Sequence, residues 1–159
     1  MRNEFAKALY NEISTNRDIM LLVGDCGQVV FDDIRRDFPD NFINMGIAEQ
    51  NMITVACGMA AGGLIPFVYT IIPFLIFRPF EQVRNDVCYQ NRNVKLVGVG
   101  AGGKYKSQGF THHVEDALDM KMVEQLPNIT VFWPAYKDYV GELVRIMLGE
   151  EKPFYLRID

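Results

Sequence analysis

No stretch of this chain approaches the roughly 18 uninterrupted apolar residues of a membrane-spanning helix. The longest apolar run, residues 64–77, contains Pro66 and Pro73 and stops at Arg78. No secretory leader is visible, because the N-terminal MRNEFAKALYNEI has the spacing of an amphipathic helix. Cysteine is scarce: Cys26, Cys57 and Cys88 stand far apart and form no CxxC pair. They read as buried small hydrophobes in a reducing cytoplasm rather than as a disulfide framework. Excess positive charge is missing as well. A net charge of −4 argues against nucleic acid as the main partner, because phosphate neutralisation needs a basic surface. Lys104 and Lys106 are too small a cluster to supply one. Repeats, low-complexity segments and interdomain linkers are also lacking.

What is present suits one ordinary domain. The chain has 159 residues, 49% of them hydrophobic, enough for a sizeable core. Short apolar runs at 19–23, 42–45, 67–70, 94–99, 129–132 and 154–158 read as strands. They are apolar on successive residues, as strands covered on both faces must be. Helical patterns fill the gaps at 5–13, 48–61, 74–89, 114–124 and 138–148. This alternation predicts an α/β fold, a three-layer sandwich around a mostly parallel sheet of about six strands. Ligands of such sheets bind beyond the carboxyl ends of the strands. That rule singles out Gly24-Asp25, residues 46–50, 70–74 and 100–113, and Pro134.

Four segments carry unusual residues. In Asn44-Met45-Gly46-Ile47-Ala48-Glu49-Gln50-Asn51 a glycine turn leads into a helix with an acid in its first turn. The small residues that follow, Ala56, Cys57, Gly58, Ala60, Ala61 and Gly62, allow close helix packing; taken alone, Glu49 could be nothing more than an acid favoured by the helix dipole. Phe74, Phe77 and Phe80 recur every third residue, which suits core packing as well as a ligand wall. Arg78 and Arg84 read as structural or interface residues. Gly98-Val99-Gly100-Ala101-Gly102-Gly103 formally matches GxGxxG, but the polar Lys104-Tyr105-Lys106-Ser107-Gln108-Gly109 follows where a nucleotide site needs a helix. Both histidines, His112 and His113, precede Glu115 and Asp116. Adjacent histidines diverge and no HxxxH or cysteine partner exists, so no metal site is expected, and the two acids suit a helix start.

The wording of these segments adds what spacing does not. Gly46-Ile47-Ala48-Glu49-Gln50-Asn51 closely resembles the G-[IV]-A-E-Q-x motif of transketolases and 1-deoxyxylulose-5-phosphate synthases. The order F-x-x-F-x-x-[FYW]-x-Q-x-R, and G-x-T-H-H followed by E-D and Leu126-Pro127-Asn128-Ile129-Thr130-Val131, are similar to transketolases too. The resemblance covers nearly the whole chain and is strongest to the second subunit of split bacterial transketolases. It implies the pyrimidine-binding fold of thiamine-diphosphate enzymes, with residues 1–159 as that single domain. In that family the glutamate at the Glu49 position meets N1′ of the cofactor's aminopyrimidine, and a buried carboxyl group suits the task better than a solvated one. Phe74, Phe77 and Phe80 would wall the ring, and His112 would face the reacting centre and the substrate. Asp25 matches an acid near the cofactor, and Arg2 a sugar-phosphate ligand.

The resemblance has gaps. Residues 100–102 are Gly-Ala-Gly where several transketolases have a histidine, and Gln108 replaces an aspartate, so substrate hydroxyls must be read differently. Gly24-Asp25-Cys26-Gly27 is not the GDG motif that, with a downstream asparagine, holds Mg²⁺ and diphosphate. The diphosphate-binding and C-terminal domains are expected to be absent from the chain, so a partner chain, or the missing domains of a longer parent, must supply the Mg²⁺ site. The resemblance therefore implies a cytoplasmic homo- or hetero-oligomer acting on a sugar phosphate by ketol transfer. The alternatives are a non-catalytic assembly domain of the same fold, or a component like deoxyxylulose-phosphate synthase or pyruvate dehydrogenase.

Overall fold

Most strand residues in this chain are apolar on both faces, and the computed structural model, which describes residues 1–27, 29–100 and 104–158, shows why. Six parallel strands form one sheet in the order β2-β1-β3-β4-β6-β5. They are β1 (Ile19–Val23), β2 (Phe42–Asn44), β3 (Ile65–Ile71), β4 (Lys95–Val99), β5 (Thr130–Phe132) and β6 (Phe154–Ile158). The helices are α1 (Arg2–Thr15), α2 (Asp32–Asp37), α3 (Glu49–Ala61), α4 (Phe80–Gln82), α5 (Leu118–Val123) and α6 (Val140–Leu148). The expected three-layer α/β sandwich is the observed one.

Alternate residues of each strand feed two separate cores. Ile19, Leu21, Val23, Phe67, Tyr69, Phe154 and Leu156 point to the layer made by α1, α2 and α6. Leu22, Val68, Leu96 and Tyr155 point to the other, where Met52, Ile53 and Ala56 of α3 meet Leu75, Val83, Val87 and Met120. Each such side chain taken wholly from water contributes roughly 1.5–3 kcal/mol, so the continuous apolar runs are what hold both helix layers. Among the described residues no helix is long and apolar enough to cross a membrane.

The segment predicted as one helix over 74–89 is helical but not uniformly α. Widened π turns run Pro73–Phe77 and Val83–Tyr89, with α4 between them. Pro73 and Pro79 have no N–H to give, and the Arg78 N–H reaches back five residues to the Pro73 carbonyl at 3.3 Å. Two further expectations change. Residues 114–117 are not helical: Asp116 and Ala117 take left-handed conformations, and α5 starts only at Leu118. Short, charged α2 is not expected from the sequence, because six residues carry little periodic signal.

Two buried charges fix the frame. Asp119 is fully buried and accepts from Arg157 Nε at 3.0 Å and from the Tyr155 hydroxyl at 2.6 Å, with the Arg157 guanidinium 4.2 Å from the Trp133 ring. This ties α5 to β6. Lys95 is buried at the start of β4 and donates to the carbonyls of Glu150 and Lys152, both at 2.9 Å, which closes the turn before β6.

Asp119→Ala strips the carboxylate from a buried guanidinium and is expected to cost about 3–5 kcal/mol in urea unfolding; a loss under about 1 kcal/mol shows that the pair is effectively solvated. Burial lowers the Lys95 ammonium to about 7, whereas the unfolded chain keeps that proton to about 10.4. Unfolding therefore takes up a proton between those values, and stability rises with pH across that window. Relative to Lys95→Met, the native chain is expected to gain stability between about pH 6.5 and 8.5, by no more than about 1.4 kcal/mol per unit. A pH-independent difference between the two chains contradicts the lowered value.

Candidate functional site

The connection after β1 leaves toward β2 through α2, and the connection after β3 leaves toward β4 through the opposite layer. Their carboxyl ends therefore part, and the crevice between them is where an open α/β sheet binds its ligand. The close approach of the loops at this point needs glycine. A Cβ on Gly24 would stand 3.1 Å from Thr70 Oγ1, and Gly46 turns with φ +69 ahead of α3. Asn44 ties the loops after β1 and β2 together. Its Oδ1 accepts the N–H groups of Asp25 (3.2 Å) and Gly46 (3.0 Å), and its Nδ2 donates to Asp25 Oδ1 at 3.2 Å.

Glu49 begins α3 and is only 4% exposed. A carboxylate so buried needs compensation. The dipole of a 13-residue helix supplies part of it. Arg78 supplies the rest: its Nη1 donates to both Glu49 oxygens at 2.9 Å. The guanidinium lies 4.0 Å from the centre of the Phe74 ring. The amino-acid order marks Arg78 only as a structural or interface residue; it lies 29 residues from Glu49, and no local pattern announces such a pairing.

Beyond Arg78 opens a cavity of about 770 Å³, walled by Phe74, Phe77, Phe110, His113, Leu118 and Lys121 among others. The structure brings together Glu49, Phe74, Phe77 and the histidine loop. His112 stands edge-on to Phe74, ring centres 5.0 Å apart, with its Nδ1 3.0 Å from Thr111 Oγ1. His113, absent from the expected site residues, lines the cavity itself, with its Nε2 3.5 Å from Glu115.

Other expected residues lie apart. Phe80 is half-buried against the core that includes α3 and does not line the cavity. The widened turn ends at Phe77, and Arg78-Pro79 separate it from α4, so no continuous helix carries Phe80 onto the face of 74 and 77. Gln108 is exposed on a short 3₁₀ turn. Arg2 opens α1 on the other face of the sheet, beside the Tyr69 phenol, which burial holds above its ordinary range. Asp25 is exposed at the crevice rim, with φ +50. The last three residues of the GxGxxG match, and the Ala-Gly of 101–102 that stands where a histidine is expected, lie outside the described residues. Among the described residues no three of His, Cys, Asp and Glu gather as a metal site.

A buried acid held by an arginine that lines a cavity of this size, walled by two phenylalanine rings, suits a flat heterocycle with a basic ring nitrogen. Comparison with known proteins points the same way. The chain is 38% identical over 124 residues to a subunit of apulose-4-phosphate transketolase from Actinobacillus succinogenes, covering 78% of this chain and 39% of that protein. It is 30% identical over 158 residues to the corresponding apulose-4-phosphate transketolase subunit of Phocaeicola vulgatus, covering 99% and 50%. It is also 34% identical over 125 residues to 1-deoxy-D-xylulose-5-phosphate synthase of Clostridium perfringens, covering 79% of this chain and 20% of that protein. The chain thus spans half or less of these relatives' lengths. A solved split-gene transketolase, described as an inactive beta4 tetramer, superposes with a TM-score of 0.85 at 36% identity, over 98% of this chain and 50% of that one. Transketolase of Campylobacter jejuni has the same fold, with a TM-score of 0.86 at 18% identity over 98% and 25% of the two chains. Residues 1–159 match the family described as the transketolase pyrimidine-binding domain, and the chain belongs to that family.

Proposed function

We propose that this chain is the pyrimidine-binding component of a split transketolase that uses thiamine diphosphate to move a ketol unit between sugar phosphates. The observation that carries the reading is the buried Glu49 carboxylate, joined through Arg78 to the cavity that Phe74 and Phe77 wall. When bound, the cofactor supplies the carbon nucleophile that attacks the ketone. Phe74 and Phe77 hold the aminopyrimidine by stacking and burial. Glu49 holds a proton at the ring nitrogen, where a desolvated carboxyl group is most effective. His112 faces the reacting end and donates to, or accepts from, the substrate's oxygens. Asp25, braced by Asn44, lies at the rim on the cofactor's side, and Gln108 is assigned to the substrate path.

We assign the diphosphate and Mg²⁺ to a partner chain, because in Gly24-Asp25-Cys26-Gly27 the acid is followed by Cys26 where a GDG site has its second glycine. Active assembly is then a hetero-oligomer, in keeping with relatives that are themselves named as one subunit of a transketolase. Free Cys26, Cys57 and Cys88 suit a reducing cytoplasm, where we place it. The similarity to 1-deoxy-D-xylulose-5-phosphate synthase supports a second reading that differs in substrate. Incubating the assembled complex with labelled pyruvate or with xylulose phosphate separates the two by product.

Glu49→Gln in the complex is expected to lower kcat by about 10²–10⁴-fold with little change in Tm, since the Arg78 it releases is already 44% exposed. Turnover at the native rate removes the assignment. His112→Asn is expected to lower kcat/KM for the sugar phosphate by at least about tenfold while thiamine diphosphate affinity, read by calorimetry, stays as in the native complex. A parallel loss of cofactor affinity places His112 on the cofactor instead.

A further inference from the structure

Glu49 does not itself line the cavity; Arg78 does. The guanidinium stands between the acid and the open volume, and a single nitrogen, Nη1, takes both carboxylate oxygens from that side. The Arg78 side chain is 44% exposed whereas Glu49 is 4% exposed, so the pair joins a buried partner to one that can leave. Its other contact is the Phe74 ring at 4.0 Å, a cation–π contact that needs no fixed orientation. Arg78 also directly follows the widened turn Pro73–Phe77, and its own N–H makes a long 3.3 Å bond.

We propose that Arg78 is a displaceable lock on Glu49, so that the aminopyrimidine reaches the acid only after the guanidinium swings aside along Phe74. This rests on the assignment of Glu49 as the cofactor's acid. In the ligand-free chain the lock neutralises a carboxylate that would otherwise be buried unpaired. A base arriving from the cavity has to replace the nitrogen that occupies the same face of the carboxylate. Opening is therefore part of binding, and the observed affinity falls by the fraction of chains that are open. Closing protects the acid from stray bases until the cofactor comes. Phe74 acts as the rail, keeping the released guanidinium at the cavity mouth.

Two measurements test this. The first is a double-mutant cycle in urea unfolding of the chain without cofactor, using R78M, E49Q and R78M/E49Q. R78M is expected to reduce the folding constant at least about tenfold more in the native background than alongside E49Q. Equal effects overturn the pairing. Should R78M not fold, R78K keeps the charge and loses the planar geometry; coupling with E49Q then remains measurable, and its absence counts against the pairing in the same way. The second is calorimetric titration of thiamine diphosphate into the chain mixed with its diphosphate-binding partner. R78M is expected to bind roughly tenfold tighter than the native complex. Unchanged or weaker binding overturns the lock and leaves the cofactor assignment standing. No binding by native or variant complexes, with coupling still present in the cycle, overturns the cofactor assignment and the lock's purpose together, while the ion pair itself stands.

Discussion

A parallel sheet covered on both faces leaves its strands little place for polar side chains, and much else in this molecule follows from that constraint. Helix layers take up the two apolar faces. Polar and charged groups are pushed to the ends of the strands, where backbone direction changes and side chains meet water. Because all six strands run the same way, their carboxyl ends collect at one edge. There the loops bearing Asp25, Glu49, Phe74 and the histidines converge, though they come from distant parts of the chain.

Charges that do enter the interior arrive with partners. Asp119 meets Arg157 and Tyr155, Lys95 meets two carbonyls, and Glu49 meets Arg78. The first two serve the frame: one ties α5, whose Leu118 and Lys121 wall the cavity, to the sheet, and the other closes the turn before β6. The third differs, because one member is half in water and faces the cavity. Desolvation makes breaking the first two expensive. For Glu49–Arg78 the solvent already compensates one side, so of the three that pair is the one suited to exchange.

The histidine loop shows how small backbone choices shape the site. Left-handed residues at 116 and 117 delay α5. With residues 113–117 left non-helical after the 3₁₀ turn Phe110–His112, both Thr111 and His113 stand on the cavity while His112 turns to Phe74. A regular helix from 114 onward would not present so many neighbouring positions to a single pocket.

The strands, the helix layers and the segment holding Glu49 were legible in the amino-acid order, because they rest on local rules: continuous apolar runs, helical periodicity and a glycine before an acid. The phenylalanine spacing was legible too, yet its meaning was not, since the segment is broken into two π turns with α4 between them, which leaves Phe74 and Phe77 on the cavity and Phe80 half-buried against the core. Arg78 against Glu49, Arg157 against Asp119, and His113 rather than His112 in the cavity wall were settled only by tertiary structure. Each joins residues distant along the chain, or separates neighbours, through packing of layers that no short window of sequence contains. Local order thus determined which elements form; the sheet's strand order decided which of their ends meet.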